Sequence, residues 1–587
     1  MKTPPRLFLA ALLTTLAGTP AVHAQTSATI AKGNIIVDLE KFATIPDSDG
    51  QPPRINVLRP APDGRLFVND QRGYLYTVSA DGATVTQYLD LSKYVSVLQD
   101  NGERGFQSFA FHPDFDNPGT AGYGKFYTVA SQPNGSTPAT FTPNVSGATH
   151  DHDEVLLEWT AADPSAATFT PASASAPYRE VLRIARPNSN HNGGYISFNP
   201  TATAADRGNL YYGMGDSGGG GDPYHLAQTL GDAYGAILRI NPLKPTAGSA
   251  QASANGQYSI PADNPHYTTN SAFLPEKFAA GFRNPQRFTW DSANGRMFVA
   301  DIGQNTVEEI DVVQAGANYG WNAREGDYVY NASTGGIGAD DRGDSATTGF
   351  TYPIAEYFHY SSIGNAVTTG PVYRNARIPA LNGRLIFSDF VNGVPYTLDA
   401  VNLPNGGTSG ITELRLRSNG TEMSFLSMIQ AVNSSATRAD LRYGFDAAQN
   451  VYFLDKQDGV IRRIAPAGQL EFFAGQKALG NGVDYLAFAN GQVFGYYAFL
   501  SDPNYLYHFD LGYEYVFDAA DGNSGVYLYD FASNTFFYTS PSFPFPYLYD
   551  FTLNTVLYYF PNTNAAGHYT SNPRYFYDFA TSQVITK

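Results

Sequence analysis

The chain has 587 residues and a formal net charge of −17, and none of its residues is cysteine. This length allows two or more domains, and the lack of cysteine excludes disulfides and thiolate metal sites. The acidic balance argues against nucleic acid and anionic membranes as partners, because both bind through basic patches. The 57 glycines, 37 prolines, 41 tyrosines and 39 phenylalanines favour short strands and turns over long helices.

The chain opens with the pattern of a signal peptide. Two basic residues precede the apolar stretch Leu7–Leu16, and Val22 and Ala24 supply small residues at the −3 and −1 positions. A membrane anchor is the alternative, but a stretch of roughly ten apolar residues is too short to span a bilayer, and no later run is long enough. The sequence therefore predicts a signal peptide over residues 1–24 and a secreted or periplasmic protein without a membrane span.

One short pattern recurs six times: a turn, usually with glycine, is followed by alternating apolar and aromatic residues and often by aspartate. The copies are GRLFVND at Gly64–Asp70, GKFYTVA at Gly124–Ala130, GNLYYGMGD at Gly208–Asp216, GRMFVAD at Gly295–Asp301, GRLIFSD at Gly383–Asp389 and QNVYFLD at Gln449–Asp455. Each predicts a short strand, and a second apolar strand follows downstream. Six such pairs indicate radial repetition. An all-β fold with a six-bladed β-propeller over residues 25–466 is predicted, with a β-sandwich of ordinary hairpins as the alternative.

Long irregular stretches separate some of these strand pairs. They are rich in small and polar residues and lie at Pro133–Pro177, Ser249–Phe273 and Gly326–Gly349. Loops of this length are usually functional or disordered. In a propeller we expect them to lie on one face and to surround a site on the axis.

The composition changes after Pro466. A short aromatic unit repeats as YLYHFDL at Tyr505, YLYDFAS at Tyr527, YLYDFTL at Tyr547 and YFYDFAT at Tyr575. Such short repeats suit small β-hairpins stacked in a row, so residues 467–587 are predicted to form a separate accessory domain. Its aromatic residues are expected to form the core of the hairpins. The alternative is that they stack on sugar rings and attach the protein to a polysaccharide or a cell surface.

Three segments carry side chains suited to chemistry. His191 lies in a polar, glycine-flanked stretch before a strand, and a neutral histidine is a suitable general base near pH 7. Arg283 precedes Asn284, and an arginine near such a base can stabilise an oxyanion. The Gly303–Gln304 turn and Glu308 could offer carbonyl and carboxylate oxygens to Ca²⁺. The ordinary alternatives stay open: a structural histidine, a surface arginine and solvated acids at a strand end.

Taken together, these segments resemble a known family. The matching stretches lie between Asn34 and Pro466: GERGFQSFAFHPDF at Gly102–Phe115, NHNGGYISFNP at Asn190–Pro200, GMGDSGGGGDP at Gly213–Pro223, GDAYGAILRINP at Gly231–Pro242, GFRNPQR at Gly281–Arg287, the run Glu308–Trp321 and TGPVYRN at Thr369–Asn375. They are similar to the soluble glucose/sorbosone-type sugar dehydrogenases, which use pyrroloquinoline quinone (PQQ), and to their non-enzymatic relatives of the hedgehog-interacting-protein kind.

The resemblance implies a six-bladed propeller and a specific mechanism. It implies that His191 removes the proton of the anomeric hydroxyl of a small sugar while hydride passes from C1 to the quinone. Arg283 would support the developing charge and Asn284 would contact the quinone. Ca²⁺, held partly by the carbonyls of Gly303–Gln304 with Glu308 nearby, would polarise the quinone as a Lewis acid.

The sequence also departs from the pattern of the dehydrogenases. Glu103 stands where the enzymes have a cofactor-contacting glutamine, and Ser217 follows the GMGD motif where another glutamine is expected. The segment Asp389–Gly393 lacks the lysine that pairs with the quinone carboxylates. An expected arginine pair is reduced to the candidates Arg438 and Arg442. PQQ carries three carboxylates, so the loss of cationic partners is expected to weaken its binding.

Three functions therefore stay open. The first is a PQQ-dependent dehydrogenase that oxidises an aldose, and the joint presence of His191, Arg283 and Asn284 favours it. The second is a non-enzymatic propeller that binds a carbohydrate or a protein, and the missing lysine favours it. The third is a Ca²⁺-dependent lactonase, which would need a carboxylate-rich axial site in place of the histidine–arginine pair. The fold alone does not separate them.

Overall fold

The structure, a computed structural model, describes residues 30–587 except 101, 136, 144, 148, 269–271, 360–365, 468–469, 481, 489, 501–503, 520, 522 and 561–572. The predicted signal peptide, residues 1–24, lies outside the described residues. The chain is 43% strand and 4% helix, as the predicted all-β class requires. Within the described part of the chain, no helix has the length and apolar composition needed to cross a bilayer.

Six four-stranded sheets, numbered here as blades 1 to 6, form the propeller. Their strands are, for blade 1, Ile55–Pro60, Leu66–Asp70, Tyr74–Val78 and Val85–Asp90; for blade 2, Phe106–Phe111, Lys125–Pro133, His152–Thr160 and Tyr178–Arg186; for blade 3, Ile196–Phe198, Leu210–Met214, Ala236–Ile240 and Lys277–Ala280; for blade 4, Arg287–Trp290, Met297–Asp301, Val307–Val312 and Ala355–Phe358; for blade 5, Val367–Val372, Arg384–Asp389, Val394–Asp399 and Thr412–Ser418; and for blade 6, Arg442–Phe445, Val451–Leu454, Val460–Pro466 and Ala31–Thr44. The six repeated sequence patterns contribute the second strand of each blade, so the propeller prediction is confirmed.

The ring of blades is closed by the first described strand. Ala31–Thr44 pairs antiparallel with Val460–Pro466 and so becomes the outermost strand of blade 6. The same strand also pairs in parallel with Thr412–Ser418 of blade 5. Because these partners lie hundreds of residues apart in the chain, the closing strand ties both ends of the propeller together.

The remaining elements of the propeller are short. They are a small sheet of Arg324–Glu325, Tyr328–Asn331 and Gly336–Asp340, the strand Thr421–Glu422, the α-helices Ser345–Thr348 and Phe425–Gln430, and the 3-10 helices Leu91–Lys93, Arg342–Asp344 and Pro379–Leu381. Two of the stretches expected to be irregular are therefore partly ordered. Pro133–Pro177 contains the third strand of blade 2, and Gly326–Gly349 contains most of the small sheet.

The C-terminal region folds as one continuous antiparallel sheet in chain order, preceded by the 3-10 helix Glu471–Phe473. Its eleven strands are Lys477–Gly480, Val483–Ala487, Val493–Phe499, Tyr505–His508, Gly512–Asp518, Val526–Asp530, Thr535–Thr539, Tyr547–Asp550, Thr555–Tyr559, Tyr575–Asp578 and Gln583–Thr586. The aromatic repeats form successive hairpins of this sheet.

The expectation that aromatic residues form the core of this region holds for some of them, such as Phe494, Tyr497 and Phe537, whereas the tyrosines of the repeated units are half-buried or exposed. In the YLY units the central residue points inward, and Leu506, Leu528 and Leu548 are fully buried. The flanking tyrosines alternate to the opposite face, as the twofold period of a strand requires. Tyr513 and Tyr575, on that outer face, are 57% and 48% exposed. Within the repeated units, the inward position is therefore held by the residue between the two tyrosines.

Candidate functional site

The loop that enters blade 3 holds His191 in a tightly packed turn. Gly193 and Gly194 follow with φ angles of 65° and 87°. A Cβ atom on Gly193 would lie 2.4 Å from the Gly213 carbonyl oxygen, so this position admits only glycine. His191 itself has a φ of 53°, an uncommon conformation that is often associated with functional sites.

His191 pairs with a buried carboxylate. Its Nδ1 lies 2.7 Å from Asp216 Oδ1. Burial raises the pKa of Asp216, but His191, Arg283 and the Gly218 N–H outweigh burial and lower the pKa below its ordinary value. The carboxylate is therefore ionised near pH 7 and accepts the proton of Nδ1, which leaves Nε2 as a free acceptor. Nε2 has no partner among the described residues, and the His191 side chain is 8% exposed.

Asp216 also ties the arginine segment to this pair. Trp321 Nε1 donates to Asp216 Oδ2 at 2.8 Å, and the Asp216 N–H donates to the Arg283 carbonyl at 2.8 Å. The guanidinium of Arg283 lies over the Trp321 ring, 5.5 Å from its centroid. His191 and Arg283, from loops on either side of blade 3, are thus brought to one site.

Asn284, which follows Arg283 in the same loop, and Glu103, from the loop that enters blade 2, complete the site. The backbone N–H groups of Arg283 and Asn284 both donate to Asp301, at 2.8 and 2.7 Å. Asn284 Nδ2 donates to Glu103 Oε2 at 3.5 Å, and the Asn192 N–H donates to the same oxygen at 3.3 Å. Glu103 therefore stands between the histidine loop and the asparagine, as a carboxylate where a glutamine is expected.

Arg442 reaches the axis from the first strand of blade 6. It is 2% exposed, and its Nη2 donates to Gln286 Oε1 at 3.1 Å. Its guanidinium lies 4.3 Å from the centroid of the Phe390 ring, within the segment that lacks the expected lysine. Arg438, the other predicted arginine, has a half-exposed side chain and pairs with Asp440, 2.5 Å away.

In the predicted Ca²⁺ segment, the Gly303 carbonyl, the Gln304 side chain and Glu308 take part in protein hydrogen bonds, whereas the role of the Gln304 backbone carbonyl stays a prediction. The Gly303 carbonyl accepts from Arg283 Nη1 at 2.6 Å, and the Gln304 side-chain oxygen accepts from Arg283 Nη2 at 3.0 Å. Glu308 is fully buried, and its carboxylate lies 2.5 Å from His359 Nε2. Among the described residues there is no group of three or more acidic or histidine side chains arranged for a metal. This arrangement does not fit a calcium ion without rotation of Arg283.

The axial residues do fit a polar, anionic cofactor. Four buried atoms around the site have no hydrogen-bond partner within the described part of the chain: Asn192 Oδ1, Ser217 Oγ, Asn284 Oδ1 and Arg442 Nε. A buried polar atom without a partner is costly, so such atoms often await a ligand. Arg442 Nε and the Ser217 hydroxyl can donate to the carboxylate and quinone oxygens of PQQ, and the two amide oxygens can accept from its pyrrole N–H.

Sequence reasoning missed Asp216, Trp321 and Lys456. Asp216 ends one of the repeated strand patterns, and this pattern indicates only the end of a strand. Trp321 ends the NYGW stretch that resembles the family, but its hydrogen bond with Asp216 joins residues far apart in the chain and leaves no local pattern in the sequence. Lys456 follows the second strand of blade 6 and is 8% exposed. Its position in a turn typical of the chain surface gives no sign of burial.

A cluster of buried carboxylates lies in blade 4 behind the arginine segment. Asp301, Glu309 and Glu356 face one another across paired strands. Both oxygens of nearby Asp311 lack a partner among the described residues. Burial raises the pKa of Asp301 to about 7, and burial with the nearby Asp327 raises that of Glu356 to about 8. Burial and the neighbouring acids also raise the pKa of Asp311.

This cluster predicts that stability falls as pH rises. Below about pH 4 the carboxyls are protonated in both the folded and the unfolded chain. Between about pH 4 and pH 8 the carboxyls ionise in the unfolded chain while the cluster in the folded chain stays protonated. The free energy of unfolding therefore decreases as the pH rises. We expect the Tm in the presence of EDTA to decrease over this range, and Asp311→Asn to raise the Tm more at pH 8 than at pH 5. The exposed Asp47→Asn is the control. A Tm that rises steadily to pH 8 would contradict this prediction.

Three curated proteins illustrate what the chain resembles. The HIPL1 protein of Arabidopsis thaliana is 30% identical over 369 residues, which cover 57% of this chain and 51% of that protein. Hedgehog-interacting protein of Mus musculus is 29% identical over 232 residues, 39% of this chain and 28% of its own. Quinoprotein glucose dehydrogenase B of Acinetobacter calcoaceticus is 25% identical over 281 residues, 44% of this chain and 48% of its own. The chain spans about half the length, or less, of these relatives.

Two solved structures illustrate what the chain is similar to. The soluble aldose sugar dehydrogenase of Escherichia coli, in its apo form, has a TM-score of 0.49 at 17% identity and covers 73% of this chain and 99% of its own. The PQQ-bound aldose sugar dehydrogenase of Streptomyces coelicolor has a TM-score of 0.44 at 20% identity. The alignment covers 74% of this chain and 98% of that protein.

The family model gives the broadest assignment. The model described as glucose/sorbosone dehydrogenase matches residues 54–399, more than half of the chain. The match starts one residue before the first strand of blade 1 and ends with the third strand of blade 5. It includes His191, Asp216, Arg283 and Asn284. By this match the chain belongs to the glucose/sorbosone dehydrogenase family.

Proposed function

We propose that this protein is an exported PQQ-dependent sugar dehydrogenase that oxidises an aldose at C1. The observation that carries the proposal is the His191–Asp216 pair, in which Nδ1 of His191 is bound and Nε2 has no hydrogen-bond partner among the described residues. Arg283 and Asn284 stand beside it, and unpartnered polar atoms surround the axis. Family membership and the similarity to a quinoprotein glucose dehydrogenase support the same chemistry.

Each axial residue has a defined task in this reaction. When bound, PQQ supplies a two-electron acceptor for the hydride of C1. His191 Nε2 takes the proton of the anomeric hydroxyl, and the ionised Asp216 stabilises the imidazolium that results. Arg283, held over the Trp321 ring, offers positive charge where negative charge develops. Asn284 and Arg442 would hold the polar edge of the cofactor. Calcium stays a prediction, because the Gly303 carbonyl here accepts from Arg283.

The test uses the purified full-length chain. PQQ is added with and without Ca²⁺, binding is followed by the absorption of the bound quinone, and oxidation of a panel of aldoses is followed with an artificial electron acceptor. We expect binding and sugar-dependent reduction of the acceptor. A parallel sample with EDTA measures whether calcium is required. Absence of both quinone binding and sugar oxidation, with Ca²⁺ present, would reject the enzymatic function.

A second candidate function rests on Glu103. A carboxylate at this point repels the carboxylates of PQQ, whereas a glutamine would not. The similarity to Hedgehog-interacting protein suggests the alternative of a non-enzymatic propeller that binds a protein or a carbohydrate. Restoring the expected residue separates the two functions. If the protein is an enzyme, Glu103→Gln should keep or tighten PQQ binding. If neither the original chain nor Glu103→Gln binds PQQ, the binding function is favoured.

The outer face of the C-terminal sheet adds a candidate polysaccharide contact. We name it the tyrosine face; it comprises Tyr505, Tyr507, Tyr513, Tyr515, Tyr527, Tyr529, Tyr547, Tyr549, Tyr575 and Tyr577. The outward positions of these strands carry no charged side chain. Flat rings with phenol hydroxyls suit a neutral polysaccharide, whose sugars present C–H faces and hydroxyls.

We expect the tyrosine face to hold the protein on an insoluble neutral glucan. In the full-length chain, joint replacement of Tyr513, Tyr547 and Tyr575 by serine should weaken co-sedimentation with cellulose by about tenfold or more, because stacked aromatic contacts are lost. Sugar oxidation should not change, because the catalytic residues lie in the propeller. Tyr123→Ser, which alters an exposed tyrosine outside this face, is the control. Co-sedimentation that is equal in all three proteins would contradict this assignment.

A further inference from the structure

Lys456 is a buried cation without a partner. It is 8% exposed, and no described residue lies within hydrogen-bond or ion-pair distance of its ammonium group. Burial, Arg442 and Arg54 lower its pKa well below the ordinary value for lysine. Lysine is almost never buried without a paired charge, so a negatively charged ligand would supply the missing partner and favour the protonated form of Lys456.

The fold fixes Lys456 close to the axial site. The Ile55 N–H donates to the Asp455 carbonyl at 3.2 Å, so Arg54 and Lys456 flank the hydrogen bond that joins blade 1 to blade 6. In blade 6, Arg442 is paired with Leu454, two residues before Lys456. The lysine therefore lies beside the arginine that binds Gln286 and faces the axis.

Among the described residues, Glu103 near Arg442 and Asp70 near Arg54 carry negative charge and are engaged by other groups. The acids next to Lys456 are engaged as well. The Asp440 carboxylate accepts from Arg438 Nε at 2.7 Å and from Gln457 Nε2 at 2.6 Å. Asp455 accepts the N–H groups of Gln457 and Asp458, which shape the turn that holds Lys456. Among the described residues, the positive charges around Lys456 and Arg442 thus outnumber the negative charges that could neutralise them.

We propose that Lys456, with Arg442 and Arg54, forms a carboxylate-binding subsite that takes the place of the lysine missing from Asp389–Gly393. The inference rests on the proposed function, because the carboxylate would be one of the three on PQQ. Phe390 occupies the missing-lysine segment and packs on Arg442, so the cation is supplied from the adjacent blade. A carboxylate there would pair with Lys456 and with the unpartnered Arg442 Nε.

The test compares ligand binding by Lys456→Met, which keeps the length of the side chain, with Lys456→Arg, which keeps its charge. The dissociation constant of PQQ is measured on full-length protein by absorption titration. We expect Lys456→Met to weaken binding by about tenfold or more, the usual worth of a charge-assisted contact. Lys456→Arg should stay closer to the original. Lys93→Met, at a 65% exposed lysine side chain, should have no effect.

Two further measurements keep the inference independent of catalysis and of folding. Without ligand, Lys456→Met should have an equal or higher Tm, because an unpaired buried charge is removed. Benzene-1,3,5-tricarboxylate, an anion without redox chemistry, should raise the Tm of the original chain and not that of Lys456→Met. Equal PQQ affinity in the two proteins would overturn the subsite and leave the proposed function standing. Stabilisation by the tricarboxylate without any PQQ binding would support the subsite and overturn the proposed function.

Discussion

Replacement of His191 by alanine is expected to lower the turnover of an aldose by about 10²–10⁴-fold, the usual contribution of a positioned general base. Nε2 of His191 has no partner among the described residues, so it is available to the hydroxyl proton of the substrate. The affinity for PQQ should change little, because this ring acts on the sugar. The measurement is steady-state oxidation of the best aldose with PQQ and an artificial electron acceptor.

The control for this prediction is His266→Ala. His266 packs on Phe273 in a loop of blade 3 and takes no part in the axial site. Its turnover should equal that of the original chain, and the Tm of both variants shows whether the fold is kept. A His191→Ala protein that is folded, binds PQQ and retains full turnover would remove His191 from the mechanism and assign proton removal to another group.

The propeller could be predicted because each blade repeats a local pattern. A glycine turn, a twofold alternation and a terminal aspartate are properties of a few neighbouring residues, and all six copies became second strands. The closing strand Ala31–Thr44 has no such pattern. Its partners, Val460–Pro466, lie at the other end of the propeller, and their pairing depends on the closure of the whole ring.

The C-terminal sheet shows where composition misleads. Tyrosines were expected inside because aromatic residues bury large areas. In a strand, however, alternate positions face opposite sides, and a single leucine between two tyrosines can supply the inward position. The choice of which set is buried depends on the curvature and packing of the full sheet. Buried charges such as the Arg574–Asp530 pair, 2.5 Å apart, also lie on the inner side.

The axial site was predictable in part. His191, Arg283 and Asn284 lie in glycine-flanked or strand-end segments whose residue types suggest chemistry, and the fold brings them together. Asp216 was not predicted, because its role depends on a contact across 25 positions of the chain. Lys456 was not predicted either, since burial of a lysine in a turn follows from the neighbouring blades. The Gly303 carbonyl oxygen and the Gln304 side-chain oxygen accept hydrogen bonds from Arg283. The spacing of these residues along the chain does not indicate such bonds.

Asp216→Asn is expected to lower turnover by about 10²-fold or more while leaving the site packed. The amide oxygen can still accept from Trp321 Nε1, which now donates to Asp216 Oδ2 at 2.8 Å. The amide NH₂ would donate to His191 Nδ1, so the ring proton moves to Nε2 and the base loses its lone pair. The loss of negative charge also removes the stabilisation of the imidazolium. In the pH profile of kcat, the acidic limb, along which a general base is lost by protonation, should therefore shift or disappear.

The double variant decides whether the two residues act as a unit. If Asp216 works only through His191, His191→Ala with Asp216→Asn should be no slower than His191→Ala alone, because effects within one catalytic unit are not additive. Independent roles would instead multiply the two losses. A multiplied loss, with both single variants folded and binding PQQ, would show that Asp216 acts on the substrate or cofactor by a second route. Its contacts with Trp321 and the Arg283 carbonyl identify the arginine segment as that route.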